Sequence, residues 1–168
     1  MPTIRTPLSG PVRRAAVVAL TAVGVALTPL PAQADTGVTT ATVAAAPVAA
    51  PTLAAQVAVD TALAQQGKPY VWAAAGPDSY DCSGLVQYAY AAAGIALPHS
   101  SSMQSTIGTP VAYGDLQPGD LVFFYTPVSH VGMYIGNGQM VHASTAGQPV
   151  KVASIDSMGG YNIARRIG

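Results

Sequence analysis

The sequence contains no glutamate and a single cysteine, and charged residues make up only 8% of its 168 positions. Each scarcity excludes something. One cysteine cannot close an internal disulfide, so the fold must stand on its hydrophobic core, and the thiol is either buried or used. Scarce charge suits a membrane protein, yet no apolar stretch reaches the ~20 residues needed to span a bilayer. The apolar excess is mostly alanine, broken by glycine and proline. No basic patch is available to track a phosphate backbone, which sets nucleic acid aside as a partner. The acidic residues are seven scattered aspartates, with Asp115 and Asp120 in turn sequences, so no acid/base pair of carboxylates stands out.

What is present falls into three segments. Arg13 and Arg14 precede an apolar run from Ala15 to Thr28, closed by Pro29, Pro31 and the small-x-small triplet Ala32-Gln33-Ala34. A basic start, a short apolar core and an Ala-x-Ala end make residues 1–34 a signal peptide. That places the mature chain outside the cell or in its envelope, with the general secretory route favoured over the twin-arginine one. Residues 35–52 are small, with two prolines. They cannot bury enough surface to offset the entropy of ordering them and read as a flexible linker. Residues 53–168 remain as one domain with a single modest core, expected to be a monomer. Its four basic residues, against all seven aspartates of the mature chain, give a formal charge of −3.

Within the domain, alanine-rich Leu53 to Gln66 predicts a helix stopped by Gly67. A second helix opens at Cys82, with Ser79 or Asp81 as its cap and Gly94 as its end. Beyond Pro98 the pattern becomes short β runs between turn residues: Leu121 to Tyr125, His130 to Ile135, Gln139 to Ala143, Pro149 to Ile155 and Tyr161 to Ile167. Helices first and strands after is an α+β arrangement, with the Cys helix packed on an antiparallel sheet of five to six strands.

A thiol attacks only as a thiolate, and a helix N-terminus or a nearby imidazolium favours that form. Cys82 has the first by position. The hairpin around Asn137-Gly138 supplies the second, provided its register puts His130 and His142 on one face. A three-residue loop, Gly136 to Gly138, pairs Ile135 with Gln139 and meets that condition; a two-residue loop at Asn137-Gly138 does not. With the odd loop, Cys82 attacks a carbonyl, His130 holds the thiolate as an ion pair, and His142 fixes the His130 tautomer. Tyr70 or the Cys82 amide faces the oxyanion. The competing readings are plain ones: Cys82 as core, solvated histidines, and Trp72 and the tyrosines as core. A metal site from Cys82, His99, His130 and His142 lacks any close ligand pair.

These residues resemble the NlpC-type cell-wall cysteine peptidases. The motifs, in the family's order, are Gly67-Lys68-Pro69-Tyr70-Val71-Trp72, Asp81-Cys82-Ser83-Gly84-Leu85-Val86, Leu97-Pro98-x-Ser100-Ser101, Leu116-Gln117-Pro118-Gly119-Asp120-Leu121 and His130-Val131-Gly132-Met133-Tyr134-Ile135-Gly136. The resemblance implies a papain-like fold, nucleophile Cys82, base His130, third polar residue His142 and the tyrosine near the thiol at Tyr70. It implies no cofactor and no metal. Asp81, Ser83 and Gly84 would line the pocket, with Trp72, His99 and Ser101 as further substrate contacts. The implied reaction is hydrolysis of peptidoglycan stem peptides, commonly between D-glutamate and meso-diaminopimelate. A catalytically silent module that binds wall peptides in the same cleft is the alternative. Two departures stand out: Ala73-Ala74-Ala75 where the family has glycines, and His99 where it commonly has arginine, whose bidentate grip on a carboxylate a histidine cannot match.

Overall fold

The computed structural model describes residues 51–168. The expected signal peptide and residues 35–50 of the linker lie outside the described residues.

Helix α1 (Leu53–Leu63) starts where the Thr52 hydroxyl accepts the Ala55 N–H at 3.1 Å. Ala55, Ala58, Val59 and Ala62 form its buried stripe, and such small side chains let a second helix pack closely. It stops short of Gly67. Gln65 is buried instead, accepting the Tyr80 hydroxyl at 2.9 Å and the Lys68 ammonium at 2.6 Å. Helix α2 (Cys82–Ala92) buries Leu85, Val86, Ala89 and Tyr90 between α1 and the sheet. A one-turn helix, α3 (Ser101–Gln104), follows the Leu97-Pro98 segment. Buried Gln104 ties it down, donating to the carbonyls of Ser83 and Pro98 at 3.0 and 2.8 Å.

Six antiparallel strands complete the domain: β1 (Thr109–Val111), β2 (Leu121–Phe124), β3 (His130–Gly136), β4 (Gln139–His142), β5 (Lys151–Ser154) and β6 (Tyr161–Arg166), ordered β1-β6-β2-β3-β4-β5. The α+β expectation holds, with the Cys helix on the sheet. Strand β2 is buried on both faces. Leu121 and Phe123 meet the helices, while Val122 and Phe124 join Met140, Ile155 and Ala164 behind them. Strand β1, α3 and the four-residue helix α4 (Ile155–Met158) were not anticipated, because pieces this short show no periodicity. Asp120, 2% exposed, accepts the Gln117 N–H and binds the Arg166 guanidinium through two bonds of 2.8 and 2.7 Å. That pair locks the turn before β2 to the last strand. Among the described residues, no helix is long and apolar enough to cross a membrane.

The β3–β4 hairpin uses the two-residue loop and not the three-residue one that the catalytic reading required. Asn137 and Gly138, with φ of 53° and 69°, form a two-residue turn between paired Gly136 and Gln139. That turn alone would separate the histidines. A bulge between Tyr134 and Gly136 absorbs one residue, however, so the ladder continues as Tyr134–Met140 and Met133–Val141. The bulge restores the register that the odd loop was needed for, and both histidines face the same way.

Candidate active site

Asp81 builds the entrance to α2. Its Oδ1 accepts the Gly84 N–H at 2.7 Å and the Ser83 hydroxyl at 3.1 Å, and its Oδ2 accepts the Ala73 N–H at 2.9 Å. His99 Nε2 lies 2.9 and 3.0 Å from the same two oxygens. Asp81 is thus the cap, and Ser79 is not. Its carboxylate is buried and fully engaged, so it acts as a bracket joining α2, the Ala73 loop and the segment before α3.

Ala73 pays for its place in that bracket with a φ of 61°. Left-handed backbone disfavours any side chain bearing a Cβ, which accounts for glycine in the related motif. Ala73→Gly is expected to stabilise the domain by about 0.5–1 kcal/mol, read as a rise in the thermal midpoint.

Gly84, expected in the pocket, is buried in the helix, and a Cβ there would lie 2.1 Å from the Ala74 carbonyl oxygen. Close packing of α2 on the Ala73–Ala75 backbone requires glycine at this position. Its role is to seat the helix.

Cys82 sits half-buried at the first position of α2, where the backbone of Val131, Ser83 and Cys82 itself favours the thiolate. Val131 directly follows His130. His130 Nε2 and His142 Nδ1 are 3.0 Å apart, and both rings are buried. Phe124 packs on His130 with ring centroids 5.8 Å apart. Gly132 keeps the floor low: a Cβ there would lie 2.5 Å from Met140 Sδ and 3.5 Å from His142 Cβ. Tyr70 lies beside this group; burial raises its hydroxyl pKa, and the negative charges of Cys82 and Asp81 raise it further. It stays a neutral donor.

The same burial governs the thiol and the imidazoles. It pushes the Cys82 thiol up, partly offset by the Val131 amide, with Asp81 adding to the rise. His130 is held down at about 4 by burial and then by His142; His142 is held at about 4 by burial and then by Lys151. Burial thus works against both charged partners of the ion pair expected from sequence. Iodoacetamide labelling of Cys82 against pH is expected to show a midpoint above that of a free thiol, about 8.5. A midpoint below neutrality would establish a resting thiolate.

Two proton arrangements fit the imidazole contact. His142 can donate to His130, or His130 can donate its Nε2–H to His142 Nδ1. Only the second leaves His130 Nδ1 a free lone pair. It places the His142 hydrogen on Nε2, which is buried without a partner among the described residues. An orphaned donor of that kind costs roughly 1–3 kcal/mol.

An open cleft of about 210 Å³ lies against Cys82. Trp72 and Ala73 form one wall, and His99, Ser100 and Ser101 another. Ser129, which carries no motif signal in the sequence, lines the cleft next to His130 in the chain. Only the strand order brings it to the nucleophile. Trp72 is 82% exposed, so it belongs to the cleft rim and not to the core, whereas Tyr80 and Tyr90 are fully buried in the core.

A helix-borne thiol set against a strand-borne imidazole pair is the construction of the papain-like cysteine peptidases. Within that class, the chain belongs to the NlpC/P60 family, whose model matches residues 67–164. A probable endopeptidase of Mycobacterium tuberculosis is 56% identical over 108 residues, 64% of this chain and 28% of that protein. NlpC2 from Trichomonas vaginalis superposes with a TM-score of 0.65 at 37% identity, over 67% of this chain and 46% of that one. The peptidoglycan hydrolase RipB of M. tuberculosis gives 0.62 at 33% identity, over 68% and 64%. The chain thus spans little more than a quarter of the mycobacterial endopeptidase it matches.

Proposed function

We propose that the domain is a cysteine peptidase that hydrolyses peptidoglycan stem peptides. The bond is D-glutamyl–meso-diaminopimelate, and the site of action is outside the cell after removal of residues 1–34. The observation that carries the reading is the contact between His130 and His142, one residue before the Val131 amide that acts on the Cys82 thiol, with Cys82 itself lining a cleft open to solvent. A silent binding module has no use for a buried imidazole pair whose desolvation destabilises both charged forms.

His130 Nδ1 takes the thiol proton as Cys82 Sγ attacks the scissile carbonyl carbon. The tetrahedral oxyanion is met by the Cys82 amide and the Tyr70 hydroxyl. His130 then protonates the leaving amine, and the thioester forms. Water, deprotonated by the same imidazole, releases the acid and restores the thiol. His142 accepts the His130 Nε2–H throughout, which keeps Nδ1 as the working atom. The names of the mycobacterial endopeptidase and of RipB support this class of reaction.

The test is mass spectrometry of purified stem-peptide fragments incubated with residues 35–168, with Cys82→Ala as the blank. Cleavage at one bond by the first protein alone is expected. Intact fragments with a folded protein would remove the hydrolase reading in favour of the binding module.

A further inference from the structure

Trp72 is the single tryptophan of the chain, and it stands 82% exposed although indoles are on average well buried. Its backbone is held firmly all the same. Val71 to Ala74 form a tight turn with Trp72 at its tip, closed by the Ala74 N–H, which donates to the Val71 carbonyl at 3.1 Å. Around it the Val71 N–H donates to the Tyr80 carbonyl, the Ala73 N–H to Asp81, and the Asp81 N–H to the Ala74 carbonyl, at 3.0, 2.9 and 2.8 Å. An aromatic side chain on a fixed turn has few torsions left to order, so little entropy is lost when its face is covered.

The cleft that Trp72 lines also carries Ser83, Ser100, Ser101 and Ser129. The Ser83 hydroxyl donates to Asp81, and that of Ser100 accepts the Met103 N–H. Those of Ser101 and Ser129 make no hydrogen bond among the described residues. A wholly apolar occupant would cover the indole and strand these hydroxyls; a wholly polar one would leave the indole in water. A sugar ring answers both, with C–H groups on one face to meet the electron-rich indole and hydroxyls at its edge.

The proposed substrate supplies such a ring. In intact wall the stem peptide hangs by its N-terminus from an amino sugar of the glycan, with a single amino acid between that sugar and the D-glutamyl residue. At about 210 Å³ the cleft is smaller than the ~300–1,000 Å³ of pockets that enclose a whole small ligand. It takes the residues next to the scissile bond, and the group they hang from meets the rim. We infer that the Trp72 indole stacks on the glycan sugar that bears the stem peptide, so that the domain prefers peptide still attached to its sugar over released peptide. This rests on the reading of the domain as a stem-peptide hydrolase.

The experiment compares one stem tetrapeptide in two forms, free and linked to its disaccharide. Wild type is expected to cut the linked form about tenfold better in kcat/KM, and Trp72→Ala to show no preference. Trp72→Tyr, which keeps an aromatic face, should retain most of it. The ratio of the two substrates cancels any damage that a variant does to the cleft as a whole. In Cys82→Ala, which binds without turnover, Trp72 is the one indole, so its fluorescence should shift to shorter wavelength with the linked peptide and not with the free one. Equal rates on the two forms in wild type, or a preference that survives in Trp72→Ala, would overturn the inference and leave the hydrolase intact. If neither form is cut but the linked one alone shifts the indole emission, the hydrolase reading fails and the sugar contact stands. If neither is cut and neither shifts it, both fall.

Discussion

His130→Gln is expected to lower kcat/KM by about 10³–10⁴-fold while changing KM only a few-fold. The ring is buried, so glutamine is the informative replacement; it fills comparable space and avoids the cavity that alanine would leave. It has no atom that can take a proton from a thiol. The loss should be large because burial raises the Cys82 thiol, so the thiolate depends on a base to take its proton. His142→Asn should cost less, about tenfold, since an amide oxygen can still accept the His130 Nε2–H; His142→Leu, which offers no acceptor, should cost about 10²-fold or more. Near-ultraviolet circular dichroism would report whether each variant keeps its packing. A His130→Gln enzyme within tenfold of wild type would take the base role away from His130.

The second large effect is acid destabilisation. In the unfolded chain a histidine titrates near 6.5, whereas His130 and His142 are held at about 4 in the fold. Between those values the unfolded chain binds more protons, so stability is fully present above about 6.5 and is lost as pH falls towards 4. A depression of this size corresponds to about 3 kcal/mol for each ring, from 1.36 kcal/mol per pH unit. Because the two rings face each other, their protonations are linked, and the sum is an upper bound. Even one such increment is a large share of a typical stability of about 5–15 kcal/mol. The urea midpoint is therefore expected to fall steeply between pH 6.5 and 4, and much less in a His130→Gln/His142→Gln protein. A midpoint equal at pH 7 and pH 4.5 would mean that the rings are already charged or reached by solvent.

The two effects share a cause. The chain buries two imidazoles and half-buries the Cys82 thiol, and the proposed catalysis and the acid sensitivity both follow from the desolvation of that group. Ala73 shows a smaller compromise of the same kind: its left-handed backbone carries the N–H that braces Asp81, and hence the helix that holds Cys82.

Much of this was legible in the residue order. The alanine stripe, the Asp-Cys helix start, the Leu121-Val122-Phe123-Phe124 run and the Asn-Gly turn each carry a local signal, because propensity, capping and periodicity act over a few residues. The single cysteine determined that the fold stands without a disulfide, and the motif order pointed to Cys82, His130 and His142. The tertiary structure decided the rest. Whether the histidines meet depended on a bulge that no turn rule signals, since a bulge is stabilised by the sheet on both sides. Trp72 at the rim, Gly84 in the packing, Ser129 in the cleft and His99 against Asp81 follow from which segments the six-stranded order brings together. The upward push on the Cys82 thiol followed in the same way, because burial is a property of the whole packed chain and competes with a helix N-terminus that the sequence displays by itself.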